Sequence, residues 1–599
     1  MTKKKLIVYV VTALLTTNLL YAQSNSGIDY YRLGDLLRAK EYLTKNLSAN
    51  PAQNNYYLGE IAFAEKNPTL AAEFYNKGLS TDPANLLNQI GLLKLKLKSD
   101  RQATEKELTA ISKKAKKDVD AQIAIARAFL DNEMTEQAKK QFEAARKAGS
   151  KNPSVYILEG DILMTEGSDP KKLGDAAAKY DQAIYFDPNF PLGYMKSALV
   201  YEKINSTDAI SKLKTVIESH PDYLPAYGLI GKIYTSNGFY PQAIEAFKKL
   251  GESNMQVDDM ERYARAEFFI EPESKDPKDK DYTAAKKIVE NGLKMNPDHF
   301  VLNRYLLYID SRTNQTEEGL ALADKFFKFR VDSGYISEDF VAHANLLVQA
   351  KRFEEAYVAF DKVIKLTPTE FKLYDDASSA AGEEKNYIKQ ASYIQQKIDA
   401  KRKESSDSNY KDDLIDITTL GSSYYLAGAA IPKNLALAEK ALQNPAIVES
   451  VKTKVPSVVA DSLSDVSYFA KYYGKYYLLK ADSIFDVQIA MAPESYTGYR
   501  YKAVINNLLN PLISNDNPEL IVGAAKPHYE KVIEILTKPD NKLTTATTRI
   551  LVEAYGYLGL YYYYKDDKEN TLTYWKKVLE LDPENATAKA VIEDVNKRL

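Results

Sequence analysis

The sequence predicts an all-α fold, a helical-repeat solenoid of about fourteen helix-turn-helix units. Three observations predict it. A two-helix pattern recurs along the chain and is plainest in YGYLGLYYYYKDDKENTLTYWKKVLELDP, from Tyr555 to Pro583. Eight prolines, at 51, 83, 188, 221, 297, 368, 493 and 583, fall at the same place in that pattern. Pro51 and Pro83 are 32 residues apart and Pro188 and Pro221 are 33 apart, the period of a stacked supersecondary unit.

In the Tyr555 to Pro583 unit, Tyr555, Leu558, Gly559 and Tyr562 share one face of a first helix. Thr571, Trp575 and Val578 share one face of a second, which Asp582-Pro583 stops. Gly559 has no side chain where the second helix must cross, and Trp575, the only tryptophan, is large enough to fill the gap. The pattern resembles the tetratricopeptide repeat: a large residue, Leu-Gly, Tyr, a small residue (here Thr571), an aromatic and a terminal Pro at fixed offsets. The resemblance implies a right-handed superhelix whose first helices line a concave groove.

From the start, Lys3-Lys4-Lys5, a mostly apolar stretch from Leu6 to Leu20 and Tyr21-Ala22-Gln23 read as a signal peptide over residues 1–22, cut after Ala22. The apolar stretch falls short of the roughly 20 residues a spanning helix needs. The mature chain is therefore expected to be exported, periplasmic or secreted. Zero cysteines exclude lipid attachment through an N-terminal cysteine, so a lipoprotein is not expected.

An N-terminal array follows over residues 23–400. Ala39, Leu43, Asn46 and Pro51 give its first second helix, after a weak first one. Asn55, Leu58, Gly59, Ala71, Tyr75, Gly78 and Pro83 give nearly the whole pattern, as do Tyr227, Ile230, Gly231, Tyr234, Ala243 and Phe247. Residues 401–411, KRKESSDSNYK, are polar without a core face and read as a linker or hinge. A C-terminal array over 412–584 includes Leu420-Gly421 with Tyr424, then Ala481, Phe485 and Pro493. The match is weakest between 387 and 465. Residues 585–599 read as a capping helix whose Val591, Ile592 and Val595 cover the last repeat. Insertions at 167–174, 271–281 and 510–518 fall between the two helices of a unit.

No catalytic constellation is legible. The four histidines, His220, His299, His343 and His528, have no paired-ligand spacing, and phosphate-loop, dinucleotide and nucleophile-elbow motifs are absent. Adjacent carboxylates such as Glu354-Glu355 point to different sides of a helix. The reading is therefore not an enzyme, with no cofactor and no metal. A net charge of -2 gives no electrostatic case for nucleic acid, and no stretch after residue 22 is apolar enough to cross a membrane.

Tyrosine is abundant, with 45 residues. Some fill the repeat core. In five units an aromatic comes one residue later, at Phe63, Tyr201, Tyr425, Tyr473 and Tyr563, which turns it by about 100° away from the intra-repeat core. Together with Tyr56, Tyr194 and Tyr564 these are the candidate partner-binding residues. Either they line an aromatic groove or they fill gaps between repeats.

By analogy with the family, the expected function is a scaffold or adaptor that binds proteins or peptides through the concave surface. The alternative is a glycan-binding surface protein using tyrosine stacking. The Lys and Asn clamp with which some family members hold a C-terminal carboxylate is not matched. Those places carry Tyr56 with Glu60, Gly228 with Lys232, and Gly556 with Leu560.

Overall fold

The computed structural model describes residues 27–598 except 168, 271–280, 330–333, 406–409, 456, 457, 459, 514–516 and 518. The expected signal peptide, the 271–281 insertion up to residue 280 and most of the hinge's centre lie outside the described residues. Two compact units divide between Ile309 and Asp310.

In the first unit, α1 (27–32) is followed by α2 (Leu36–Lys45), α3 (Pro51–Ala64), α4 (Pro68–Thr81), α5 (Leu86–Lys94) and α6 (Arg101–Lys114). Next come α7 (Val119–Leu130), α8 (Thr135–Ala148), α9 (Pro153–Met164), α10 (Pro170–Phe186), α11 (Pro191–Tyr201) and α12 (Ser206–Ser219). Then come α13 (Leu224–Ser236), α14 (Tyr240–Leu250), α15 (Val257–Phe269) and α16 (Thr283–Met295), and α17 (Phe300–Arg312) crosses the boundary.

The second unit continues with α18 (Thr316–Phe326), α19 (Ser337–Gln349), α20 (Phe353–Leu366), α21 (Phe371–Glu384) and α22 (Tyr387–Glu404). After these come α23 (Leu414–Ala430), α24 (Leu435–Leu442), α25 (Pro445–Lys454) and α26 (Val466–Met491). The last helices are α27 (Tyr496–Leu509), α28 (Lys526–Leu536), α29 (Thr545–Tyr564), α30 (Lys568–Leu581) and α31 (Ala586–Lys597). The fold is all-α and repetitive, with about fourteen helix pairs among the described residues.

Helix starts are written locally. Asn67 accepts a hydrogen bond from the Leu70 amide at 3.0 Å and Asp567 from the Asn570 amide at 3.1 Å, the first with Pro68 at the opening helical position. The turn inside a pair reverses the chain through one left-handed residue. Lys66, Glu133, Asn314, Lys351, Lys385 and Asp566 have φ between 55° and 64° there, a cost of roughly 1–2 kcal/mol for a residue with a Cβ. The repeat-ending His220 and His299 sit at helix ends: the His220 amide donates to the Val216 carbonyl, and His299 Nδ1 accepts from the Leu302 amide at 3.3 Å.

In five pairs a glycine on the first helix meets an aromatic ring on the second, at Gly59, Gly160, Gly231, Gly421 and Gly559. A Cβ on Gly59 would lie 2.4 Å from the Tyr75 ring, and one on Gly559 2.7 Å from Trp575 Nε1. The same contact explains the weakly matching region. Gly421 on α23 meets Phe485 on α26, where a Cβ would come within 2.9 Å of the ring. One unit's two helices are thus separated in sequence by α24 and α25, and their pairing survives the insertion.

Residues 401–404 complete α22, and Arg402 reaches Asp412 with Nε 2.8 Å from Oδ1. In the 510–518 insertion, Ile513 forms an antiparallel bridge with Ile521. The α31 helix buries Ala588 and Val595 against the last repeat, and Val591 and Ile592 pack partly buried on the core around Trp575. Among the described residues no helix is long and apolar enough to cross a membrane.

Candidate functional site

The eight candidate aromatics fall into different environments. Tyr56 and Tyr473 are buried, Phe63, Tyr194, Tyr201, Tyr425 and Tyr563 are half-buried, and Tyr564 is exposed. Tyr56 packs 5.0 Å from the Tyr57 ring and 6.1 Å from Tyr75. Lys94 Nζ stands 4.2 Å over the Phe63 ring. Tyr201 lies 5.8 Å from Lys212 Nζ, and Tyr425 packs edge-on to Tyr501 at 5.6 Å. The Tyr473 hydroxyl is 3.3 Å from that of Tyr477, and burial raises its pKa. Tyr563 donates to Asp594 at 2.8 Å and accepts from Arg598 at 2.9 Å, which fastens it to α31. Tyr563 and Tyr564, 5.6 Å apart, are the pair of the eight whose rings meet.

Charge organises the first-helix faces of the first unit. Glu60 on α3 pairs with Lys94 on α5 at 2.9 Å, and Lys94 with Asp131 at the end of α7 at 2.6 Å. Arg127 on α7 pairs with Asp161 on α9 at 2.7 Å, and Asp161 with Lys196 on α11 at 2.9 Å. Lys232 on α13 pairs with Glu202 just past α11 at 2.9 Å. The ladder therefore links six consecutive first helices. Burial alone raises the Asp161 carboxyl, but Lys196 and Arg127 outweigh it and hold its pKa down at about 2. Glu60 also accepts from the hydroxyls of Tyr75 at 2.6 Å and Tyr31 at 3.2 Å.

Sequence reasoning passed over this ladder, although a signal was there. Charged residues at 60, 94, 127, 161, 196 and 232 recur at intervals of 33 to 36. They are in phase with the repeat and one residue after the packing glycine in Gly59-Glu60, Gly160-Asp161 and Gly231-Lys232.

The N-terminal segment lies against the same faces. The Tyr31 hydroxyl reaches Glu60, Arg32 Nη2 donates to the Tyr57 hydroxyl at 3.2 Å, and the Tyr223 hydroxyl donates to Asp29 at 3.0 Å. Arg38 Nη1 lies 3.0 Å from Asp259 on α15, and the Tyr42 hydroxyl donates to Asn254 at 3.0 Å. Burial and the carboxylates of Glu60 and Asp131 push the Tyr31 hydroxyl well above the ordinary tyrosine pKa. A cavity of about 140 Å³ remains beside Tyr30 and Leu33, lined from the other side by Met195, Leu199 and Leu229.

In the second unit, Lys480 Nζ stands 5.0 Å from the rings of Tyr424 and Tyr476 and 5.7 Å from Tyr477, a cation held by aromatic faces. His343 packs 5.2 Å from Phe327, and burial lowers its pKa. Among the described residues, no three or more His, Asp and Glu side chains gather as a metal site.

The tetratricopeptide repeat family model matches residues 25–85 and 123–191. Over 97 residues, 16% of this chain, the sequence is 30% identical to a small glutamine-rich tetratricopeptide repeat-containing protein 2 of Mycosarcoma maydis. The chain spans 28% of that relative's length. A solved structure, the C-terminal part of a TPR repeat-containing protein from Cytophaga hutchinsonii, is similar at 18% identity over 61% of this chain and 99% of its own, with a TM-score of 0.33. A tetratricopeptide repeat protein from Parabacteroides merdae is similar at 17% identity over 44% of this chain and 98% of its own, with a TM-score of 0.28. The two matched segments carry tetratricopeptide repeats, and the glycine-aromatic contacts Gly59–Tyr75 and Gly160–Tyr180 lie within them.

Proposed function

We propose that the chain is a non-enzymatic, exported scaffold that binds a protein or peptide segment against its first-helix faces. One observation carries the reading: in the first unit these faces already hold a helical segment, residues 27–46, through aromatic, carboxylate and guanidinium contacts. A face with that chemistry accommodates side chains of a peptide rather than a small reacting molecule. The half-exposed and exposed aromatics Tyr194, Tyr201, Tyr425 and Tyr564 add contact area at low entropic cost. Export rests on the Lys3 to Ala22 pattern.

The test is affinity capture from the cell envelope and culture medium with the chain from Gln23 as bait, beside a Tyr201→Ser/Tyr425→Ser/Tyr564→Ser variant. A captured protein whose recovery drops at least tenfold with the variant supports the reading. Binding on a glycan array with no captured protein overturns it. N-terminal sequencing of the native protein tests export, with Gln23 as the expected first residue.

A further inference from the structure

The segment from Gly27 to Asn46 is placed in an unusual way for a first repeat. Its second helix, α2, begins the stack as expected, with Ala39 and Leu43 fully buried. Its polar side chains reach the neighbouring pair and also helices far along the unit. Tyr31 and Arg32 meet α3, Asp29 meets Tyr223 just before α13, Tyr42 meets Asn254, and Arg38 meets α15. Leu33 and Tyr30 face Met195 and Leu199 of α11 and Leu229 of α13. Almost every protein group that meets them belongs to, or adjoins, the first helix of a pair. The segment thus fills the inner face of its own unit.

The fit is tethered but incomplete. Among the described residues the buried Tyr30 hydroxyl has no hydrogen-bond partner, and the 140 Å³ cavity lies beside its ring. A closely packed core leaves few such voids and rarely leaves a hydroxyl unpaired. The α1 helix is far shorter than a helix that is stable alone, so its order depends on what it touches. With zero cysteines, no disulfide holds the segment down.

We propose that residues 27–46 are a displaceable intramolecular occupant of the first unit's inner face, competing there with a protein segment of the same chemistry. That chemistry is a short helix carrying Tyr-Tyr-Arg with an acidic residue just before it and a second arginine on the following helix, as in Asp29, Tyr30, Tyr31, Arg32 and Arg38. The inference deepens the scaffold reading and rests on it, because it names the surface and what must leave it. Tethering through Leu47 to Asn50 gives the occupant an effective concentration in the millimolar range, so a free peptide competes poorly until a tether is weakened.

A fluorescent peptide of residues 27–46 is titrated into the full chain from Gln23 and into the same chain carrying Arg38→Glu, which sets like charge against Asp259 and Asp35. The Arg38→Glu chain is expected to bind the peptide at least tenfold more tightly than the unaltered chain. A peptide carrying Tyr31→Ala is expected to compete at least tenfold less well. Equal affinities for the two chains, or binding by neither, overturn the proposal.

If Arg38→Glu prevents folding, hydrogen exchange on the unaltered chain decides. Amides of α2 exchanging at least tenfold faster than those of α3 support displacement, and equal protection overturns it. A failed capture experiment with a positive titration removes the external partner alone. A null titration removes the competition and leaves any captured partner standing.

Discussion

Arg38 holds Nη1 3.0 Å from Asp259 Oδ2, joining α2 to α15. A second carboxylate secures the same arginine, since its Nε lies 2.6 Å from Asp35 Oδ2. The consequence is that the start of the array and its eighth first helix share one charged contact, and the first unit's inner face closes on a piece of its own chain. Binding to that face is therefore a competition, whereas binding elsewhere along the first helices is not.

Gly559 and Trp575 provide the cleanest test of the packing rule. Gly559→Ala is expected to destabilise the last repeats by about 1–3 kcal/mol, because the added methyl meets the indole at 2.7 Å. As the only tryptophan, Trp575 reports this directly: its fluorescence transition in urea moves to lower concentration. An unchanged midpoint sinks the close-crossing account.

Lys94 is 2% exposed and lies between Glu60 and Asp131. Lys94→Met leaves Glu60, also 2% exposed, without its cation, and is expected to cost about 3–5 kcal/mol. Glu60→Gln added to it recovers most of that loss, since the uncompensated carboxylate is gone. Hydrogen exchange over α3 to α7 is the measurement, because a repeat array does not unfold in one step. Additive losses in the double variant contradict the pairing.

Asp161 makes acid stability local. Its folded pKa, about 2, lies below the unfolded value of about 3.9. The sign follows: its contribution is complete above the unfolded value and disappears as pH falls from about 4 through 2. Asp161→Asn is expected to weaken α7 to α11 at neutral pH and to flatten the acid limb in that window. Exchange protection measured between pH 4.5 and 2.5 checks it, and an acid limb as steep as the wild-type one refutes the assignment.

Tyr563 and Tyr564 separate packing from binding. Tyr563→Phe removes the bonds to Asp594 and Arg598 and is expected to cost about 0.5–1.5 kcal/mol, read as faster exchange in α31. Tyr564→Ser, with the side chain 44% exposed, should leave that exchange unchanged and lower partner capture instead. Reversed outcomes would exchange the two roles.

The repeat unit was legible because its determinants are close in sequence. Gly59 and Tyr75, or Gly559 and Trp575, meet within one helix pair, and caps such as Asn67 act over three residues. The interrupted pair was not legible this way: Gly421 and Phe485 have complementary sizes, but the inserted α24 and α25 part them in sequence. The exposed or half-buried state of each tyrosine was not legible. One extra residue along a helix specifies a direction, but the neighbour found there belongs to another repeat: Lys94 for Phe63, Tyr501 for Tyr425, Asp594 for Tyr563.

By itself, then, the sequence determined the all-α repeat, its period and the glycine-aromatic contacts within uninterrupted pairs, because those depend on side-chain size and helical spacing. Only the tertiary structure decided that Glu60, Lys94, Arg127, Asp161, Lys196 and Lys232, with Asp131 and Glu202, form the pairs of a ladder, and that Arg38 meets Asp259. Such contacts depend on the small rotation from each repeat to the next, summed over several repeats. No single repeat's residues encode that sum, and it is what brings residues 27–46 onto the inner face of the first unit.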